Sequence, residues 1–239
     1  MSLCLRYLAF PCFQHDKNAI DTAELEQSAL EGHLAFQDYA VAKWFHHVNA
    51  FVDAGKALLE RESETYHGTR EGRTSRRPLE EISIALEDFI MQYDEEDWHN
   101  PKNIVNECIE NCKVFKDRDF YENLVAITSH IYKFQKKGFE ARHKVSIKAL
   151  ASALERNRKV LQDLPPRLTP DQMETFRQFY DDERKFKCSN ITCIYFSKGF
   201  KDSKTQKKHE NIHERPFQCE VENCHGAELG FTNSKDLEK

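Results

Sequence analysis

Glycine and proline are scarce, at 8 and 7 of 239 residues, and with 31% charged residues this composition points to helices. No stretch approaches eighteen uncharged apolar residues, so no membrane span is expected. The apolar start Ser2 to Phe13 is short and carries Arg6 inside the run rather than ahead of it, so it does not read as a signal peptide. No Gly-rich loop followed by Lys and Ser/Thr occurs, and Gly-x-Ser-x-Gly is absent. The chain is therefore not expected to be an enzyme, to carry catalytic residues or to take a small-molecule substrate. A net charge of -5 argues against a protein that coats nucleic acid indiscriminately.

The sign of charge is uneven, however. From Arg184 to His213 there are eight Lys or Arg against two acids, Asp202 and Glu210. Within that basic stretch Cys188 and Cys193 precede His209 and His213, with fifteen residues between the pairs. Two thiolates facing two imidazoles one helical turn apart are a donor set for tetrahedral zinc. All four positions are filled by protein, which suits a structural site rather than a catalytic one. The remaining cysteines lie far apart, apart from Cys219 with Cys224 and Cys108 with Cys112, so a reducing compartment fits better than a disulfide framework.

The pattern recurs thirty-one residues on: Cys219, Cys224, Gly230-Phe231 and Ser234-Lys235 repeat Cys188, Cys193, Gly199-Phe200 and Ser203-Lys204. With the joining segment His213-Glu214-Arg215-Pro216-Phe217-Gln218-Cys219, residues 184–239 resemble tandem Cys2His2 zinc fingers. The resemblance implies a small ββα finger over 185–213 with Zn2+ on Cys188, Cys193, His209 and His213, and an incomplete second finger over 214–239 that offers Cys219 and Cys224. Three residues more than the common finger spacing fall after Cys193, because Phe200 keeps the usual distance from His209. Gln206 stands where the family places a core leucine and should weaken that core. The second unit has no histidines in register before Lys239, which reads as a chain cut from a longer parent, and His225 reads as solvated rather than as a third ligand.

The same resemblance places Asp202, Thr205 and Lys208 at base-contact positions of a helix in the major groove, with Lys204 auxiliary. Lys208 would donate to guanine, Asp202 would accept from cytosine, and Lys201, Lys204 and Lys207 would meet phosphates. An ordinary solvated helix face explains these lysines equally well. One finger covers about three base pairs, so selective DNA binding would need more fingers or dimerisation. A nuclear, transcription-regulatory protein is expected, with a cytoplasmic interaction module as the alternative.

Ahead of the finger the chain reads as mainly α: a helical segment over 1–60, a linker over 61–77, a bundle region over 78–166 and a connecting helix over 167–184. Asp21 with Glu24 marks a helix start, and Gly32 breaks the run. Phe36, Tyr39, Ala40, Trp44, His47, Val48, Phe51 and Val52 form one apolar stripe, which reads as a core face. Adjacent His46 and His47 read as surface and core. Pro78 opens a third helix, and the acidic run Asp94 to Asn100 reads as solvated surface rather than a calcium loop. Cys108 and Cys112 read as core. A stretch from Asp119 to about Leu164, divided near Gly138, ends at Pro165-Pro166, and Thr169-Pro170 starts a last helix that leads into the finger as an arm. Ala35 to Trp44 together with Leu5 to Phe10 resemble segments of large fungal zinc-finger proteins that carry a signalling ATPase module of the nucleotide-binding oligomerisation type. That likeness implies a protein partner for the helical region and assigns no nucleotide-binding residue here.

Overall fold

A computed structural model describes residues 1–14, 19–66, 78–136, 145, 147–181, 183–221, 224, 227 and 229–238. The chain is mainly helical and divides into two compact units, residues 1–25 with 36–157, and residues 26–35 with 158–239. Among the described residues no helix is long and apolar enough to cross a membrane.

The first unit is built around aromatic side chains. Helices α1 (Ser2–Leu8), α3 (Gln37–Asp53) and α5 (Pro78–Gln92) pack together, and Leu5, Leu8, Trp44, Phe45, Val48 and Phe89 are wholly buried between them. The Trp44 and Phe89 rings lie 5.2 Å apart, and Tyr93, just past α5, donates to the carbonyl of Leu8 at 2.7 Å. Burying side chains of this size is the main stabilising term of such a unit. The stripe read from sequence is the core face of α3, although Tyr39 stands exposed and Phe45 and Val41 join the buried set. His46 is exposed, whereas His47 is half-buried beside the Tyr39 hydroxyl at 3.0 Å rather than in the core.

Two boundaries bear on expectation. Helix α2 (Thr22–Leu30) ends before Gly32, whose φ of 81° favours glycine, and the amide of Glu24 bonds the Asp21 carboxylate at 2.8 Å, as the capping pattern implies. But α4 (Gly55–Tyr66) continues through residues 61–66, which the sequence pattern assigns to the linker; glutamates at 60, 62 and 64 are good helix formers and carry the helix beyond the Leu58-Leu59 pair. Residues 67–77 lie outside the described residues.

Helix α6 (Asn106–Cys112) packs on α7 (Tyr121–Gln135). Cys108 and Cys112 are buried, and Cys112 Sγ lies 3.6 Å from the Thr128 hydroxyl, so these thiols are core groups. The acidic run forms a 3-10 turn over Asp94–Glu96, after which Asn100 donates to the Asp97 carboxylate at 2.7 Å. The stretch expected from Asp119 to Leu164 is divided: α7 stops at Gln135 and α8 (Lys148–Asp163) starts thirteen residues on, with Gly138 outside the described residues.

In the second unit the capping box of Thr169 with Gln172 opens α9 (Pro170–Phe179). This helix is not an arm. Phe176 is buried, the Tyr180 hydroxyl donates to the carbonyl of Ala29 at 2.9 Å, and Phe179 covers Gly32 so closely that a Cβ there would lie 2.7 Å from its ring. Apolar residues at three-residue spacing are what let α9 pack rather than project.

The expected ββα hairpin does not form. Among the described residues there is no strand; the limbs around Cys188 and Cys193 share one antiparallel bridge, Phe186 with Phe200. Residues Tyr195–Lys198 instead make a helical turn, α10, which uses up chain that a second strand would need in extended form. Gly199, at φ 63°, then turns the backbone into Phe200 and α11 (Ser203–Glu214). The thirty-one-residue recurrence is structural as well: Phe217 bridges Phe231, Gly230 has φ 65°, and Asn233 caps α12 (Ser234–Leu237) as Asp202 caps α11.

Candidate metal centre

Cys188 and Cys193 sit on a tight knuckle. The Cys193 amide donates to the carbonyl of Asn190 at 3.0 Å, and the Asn190 amide points at Cys188 Sγ at 3.4 Å, which turns both sulfurs to one side. His209 and His213 are four residues apart on α11 and therefore share a helix face. One ligand atom from each of these four residues lies within 4.8 Å of every other, the one such cluster of three or more metal-binding groups among the described residues. His209 Nε2 is 3.1 Å from His213 Nε2 and 3.2 Å from Cys193 Sγ.

These distances can be set against coordination chemistry. Sulfur at about 2.3 Å and nitrogen at about 2.0–2.1 Å from one tetrahedral ion stand about 3.3–3.8 Å from each other. The two separations above fall just below that range and the widest of the set is no more than 4.8 Å, so small side-chain shifts would bring all four ligand atoms to one ion. The donor set thus fits a metal ion. Around it, the side-chain amide nitrogen of Asn190 lies 3.3 Å from His213 Nδ1, and the Glu210 carboxylate accepts from the backbone amide of Ser189 at 3.3 Å, so groups of the kind that orient ligands are in place.

Burial, opposed by the Asn190 amide, pushes the Cys188 thiol up to about 11. A cation is what would hold it as thiolate near neutral pH. Burial and the neighbouring His213 lower the His209 imidazole, which keeps its ring neutral and its lone pair free for a ligand bond.

The other expected site residues fall differently. Cys219 and Cys224 are half-buried and belong to no cluster of three or more metal-binding groups among the described residues, and His225 is outside those residues. Asp202 and Thr205 face each other: the Thr205 amide and hydroxyl both donate to the Asp202 carboxylate, each at 2.8 Å. Lys204, Lys207 and Lys208 are exposed along α11, and Lys201 pairs with Glu183 at 2.9 Å.

Two residues of the site escape a reading by motif. Phe196, within the insertion, is buried, whereas Phe200 is half-buried and stacks on Tyr195 at 4.4 Å. Arg158 of α8 is buried and donates to the carbonyls of Cys188 and Phe196. One signal could have found it: Arg158 occupies the same helical register as Leu150, Leu154 and Leu161, so it is a charge in an apolar row.

No family model matches the chain, and no curated protein or solved structure matches it.

Proposed function

We propose that residues 185–213 form a Cys2His2 zinc finger in which Cys188, Cys193, His209 and His213 hold one structural Zn2+, and that the chain is a zinc-binding protein acting on nucleic acid in transcription regulation. The observation that carries this reading is the convergence of four ligand atoms within 4.8 Å. When bound, the ion supplies a closed tetrahedral cross-link between the knuckle and α11 and no open position for catalysis. The exposed lysines of α11, Lys204, Lys207 and Lys208, supply charge for phosphates, and Lys208 has the register for a guanine contact. The helical unit is the part suited to a protein partner.

Asp202 and Thr205 support a second reading. Each meets the other's hydrogen-bonding groups at the helix start, which leaves the α11 face with fewer groups for reading bases. In that reading the finger is a structural knob of a protein-interaction or signalling assembly.

Native mass spectrometry of the full chain is expected to show one zinc per molecule, lost when Cys188 and Cys193 are both changed to serine. Absence of tightly held zinc in the wild type would end the finger reading. Binding of the zinc-loaded chain to random duplex DNA over a salt series separates the two functions: a steep loss with salt supports phosphate contacts, and no binding at low salt removes the nucleic-acid role.

A further inference from the structure

We infer that Arg158, thirty residues ahead of the first ligand, is a positioning residue that orders the cysteine loop before the metal arrives, an inference that rests on the zinc reading above. Its Nη1 donates to the Cys188 carbonyl at 3.0 Å and its Nη2 to the Phe196 carbonyl at 2.8 Å. The guanidinium carbon lies 4.2 Å from the centre of the Phe196 ring, and the residue is only 9% exposed. Cys188 starts the loop that carries Cys193, and Phe196 ends it. One planar group therefore closes that loop at both ends, alongside the bond from the Cys188 amide to the Tyr195 carbonyl at 3.0 Å.

The preceding limb is tied to the same helix. One turn further along α8, Gln162 donates to the Lys185 carbonyl at 3.5 Å, and Lys185 Nζ donates back to the Gln162 carbonyl. The loop needs such a hold because it carries the residues inserted after Cys193, and every added residue that must be ordered opposes folding. Arginine suits this position because its fork presents fixed parallel donors to two carbonyls and stacks on an aromatic face, whereas lysine is a single mobile point charge. Charge-assisted bonds of this kind are strong where water is excluded.

Linkage distinguishes preordering from plain stabilisation. A residue that stabilises the metal-free and metal-loaded forms equally leaves metal affinity unchanged. One that orders the loop in the metal-free form raises affinity, since the ion no longer has to do so.

Zinc affinity of the full chain, measured by competition with a chromophoric chelator, together with amide hydrogen exchange of the metal-free protein, tests this role. Arg158→Lys should weaken zinc binding about 10–100-fold, and should remove exchange protection of the Cys193 and Phe196 amides in the metal-free form. Its Co2+ absorption bands should keep the tetrahedral pattern, because the ligands are unchanged. Leu154→Ala, a change at a buried apolar residue of the same helix that has no hydrogen-bonding group, should lower Tm and leave zinc affinity as in the wild type. Equal zinc affinity in wild type and Arg158→Lys, or no protection of those amides in the metal-free wild type, would overturn the inference. A wild type that binds no zinc overturns the finger reading and the inference together, whereas zinc binding unaffected by Arg158→Lys overturns the inference alone.

Discussion

Gln206 donates its side-chain amide to the backbone carbonyl of Lys187 at 2.7 Å, at the position where the finger resemblance places a leucine. The bond joins α11 to the residue just before Cys188, so a polar contact takes the place of an apolar one. Gln206→Ala should cost about 1 kcal/mol, and Gln206→Leu should not exceed the wild type, because leucine removes the donor that the carbonyl now has. Urea unfolding in zinc-supplemented buffer reads both shifts. A leucine variant clearly more stable than the wild type would show that the hydrogen bond contributes nothing.

The insertion supplies the aromatic that matters most. Phe196 is 4% exposed beneath the Arg158 guanidinium, whereas Phe200, at the position where the finger resemblance places a core aromatic, is only half-buried. Phe196→Ala should cost about 3–5 kcal/mol, as for a fully buried phenylalanine, and Phe200→Ala distinctly less. The reverse order, measured by denaturant midpoints, would contradict this placement of the core.

Backbone conformation makes Gly199 hard to replace. At φ 63° a Cβ would lie 2.0 Å from the Arg184 carbonyl oxygen, so Gly199→Ala should cost at least about 1–3 kcal/mol. Gly230 repeats the conflict, with a Cβ 2.3 Å from the Arg215 carbonyl. Thermal unfolding of the two alanine variants checks both, and a variant as stable as the wild type would remove the strain argument.

Alkaline pH should weaken the first unit. Burial pushes the Cys12 and Cys112 thiols from 9.0 up to about 11, and burial also raises the Tyr93 phenol. A raised acid is one the folded state keeps protonated while the unfolded chain releases its proton. The contribution of the two thiols is therefore complete below about pH 9 and is lost as pH climbs towards about 11. Urea midpoints should fall over that window, and Cys112→Ala should make the fall shallower.

Much of the chain is legible residue by residue. Asp21 and Thr169 cap the helices their neighbours announce, Gly32 and Pro78 punctuate as glycine and proline do, and Trp44, Val48 and Phe89 are buried because their spacing matches a helix turn. The four candidate ligands converge as their spacing implies, since a knuckle and one helical turn are local geometries. The end of α4 is not legible in this way, because an apolar pattern is silent about a helix that polar helix formers alone can extend.

The sequence alone determined the helical registers, the caps, the repeat at thirty-one residues and the choice of Cys188, Cys193, His209 and His213 as candidate ligands, because each depends on local spacing along the chain. Only the tertiary structure decided that the hairpin is a single bridge, that α9 packs instead of reaching out, and that Arg158 and Gln206 hold the carbonyls of Cys188, Phe196 and Lys187. A backbone carbonyl looks the same at every residue, so no pattern of side chains announces which one a distant guanidinium or amide will find; the packed chain alone sets that pairing.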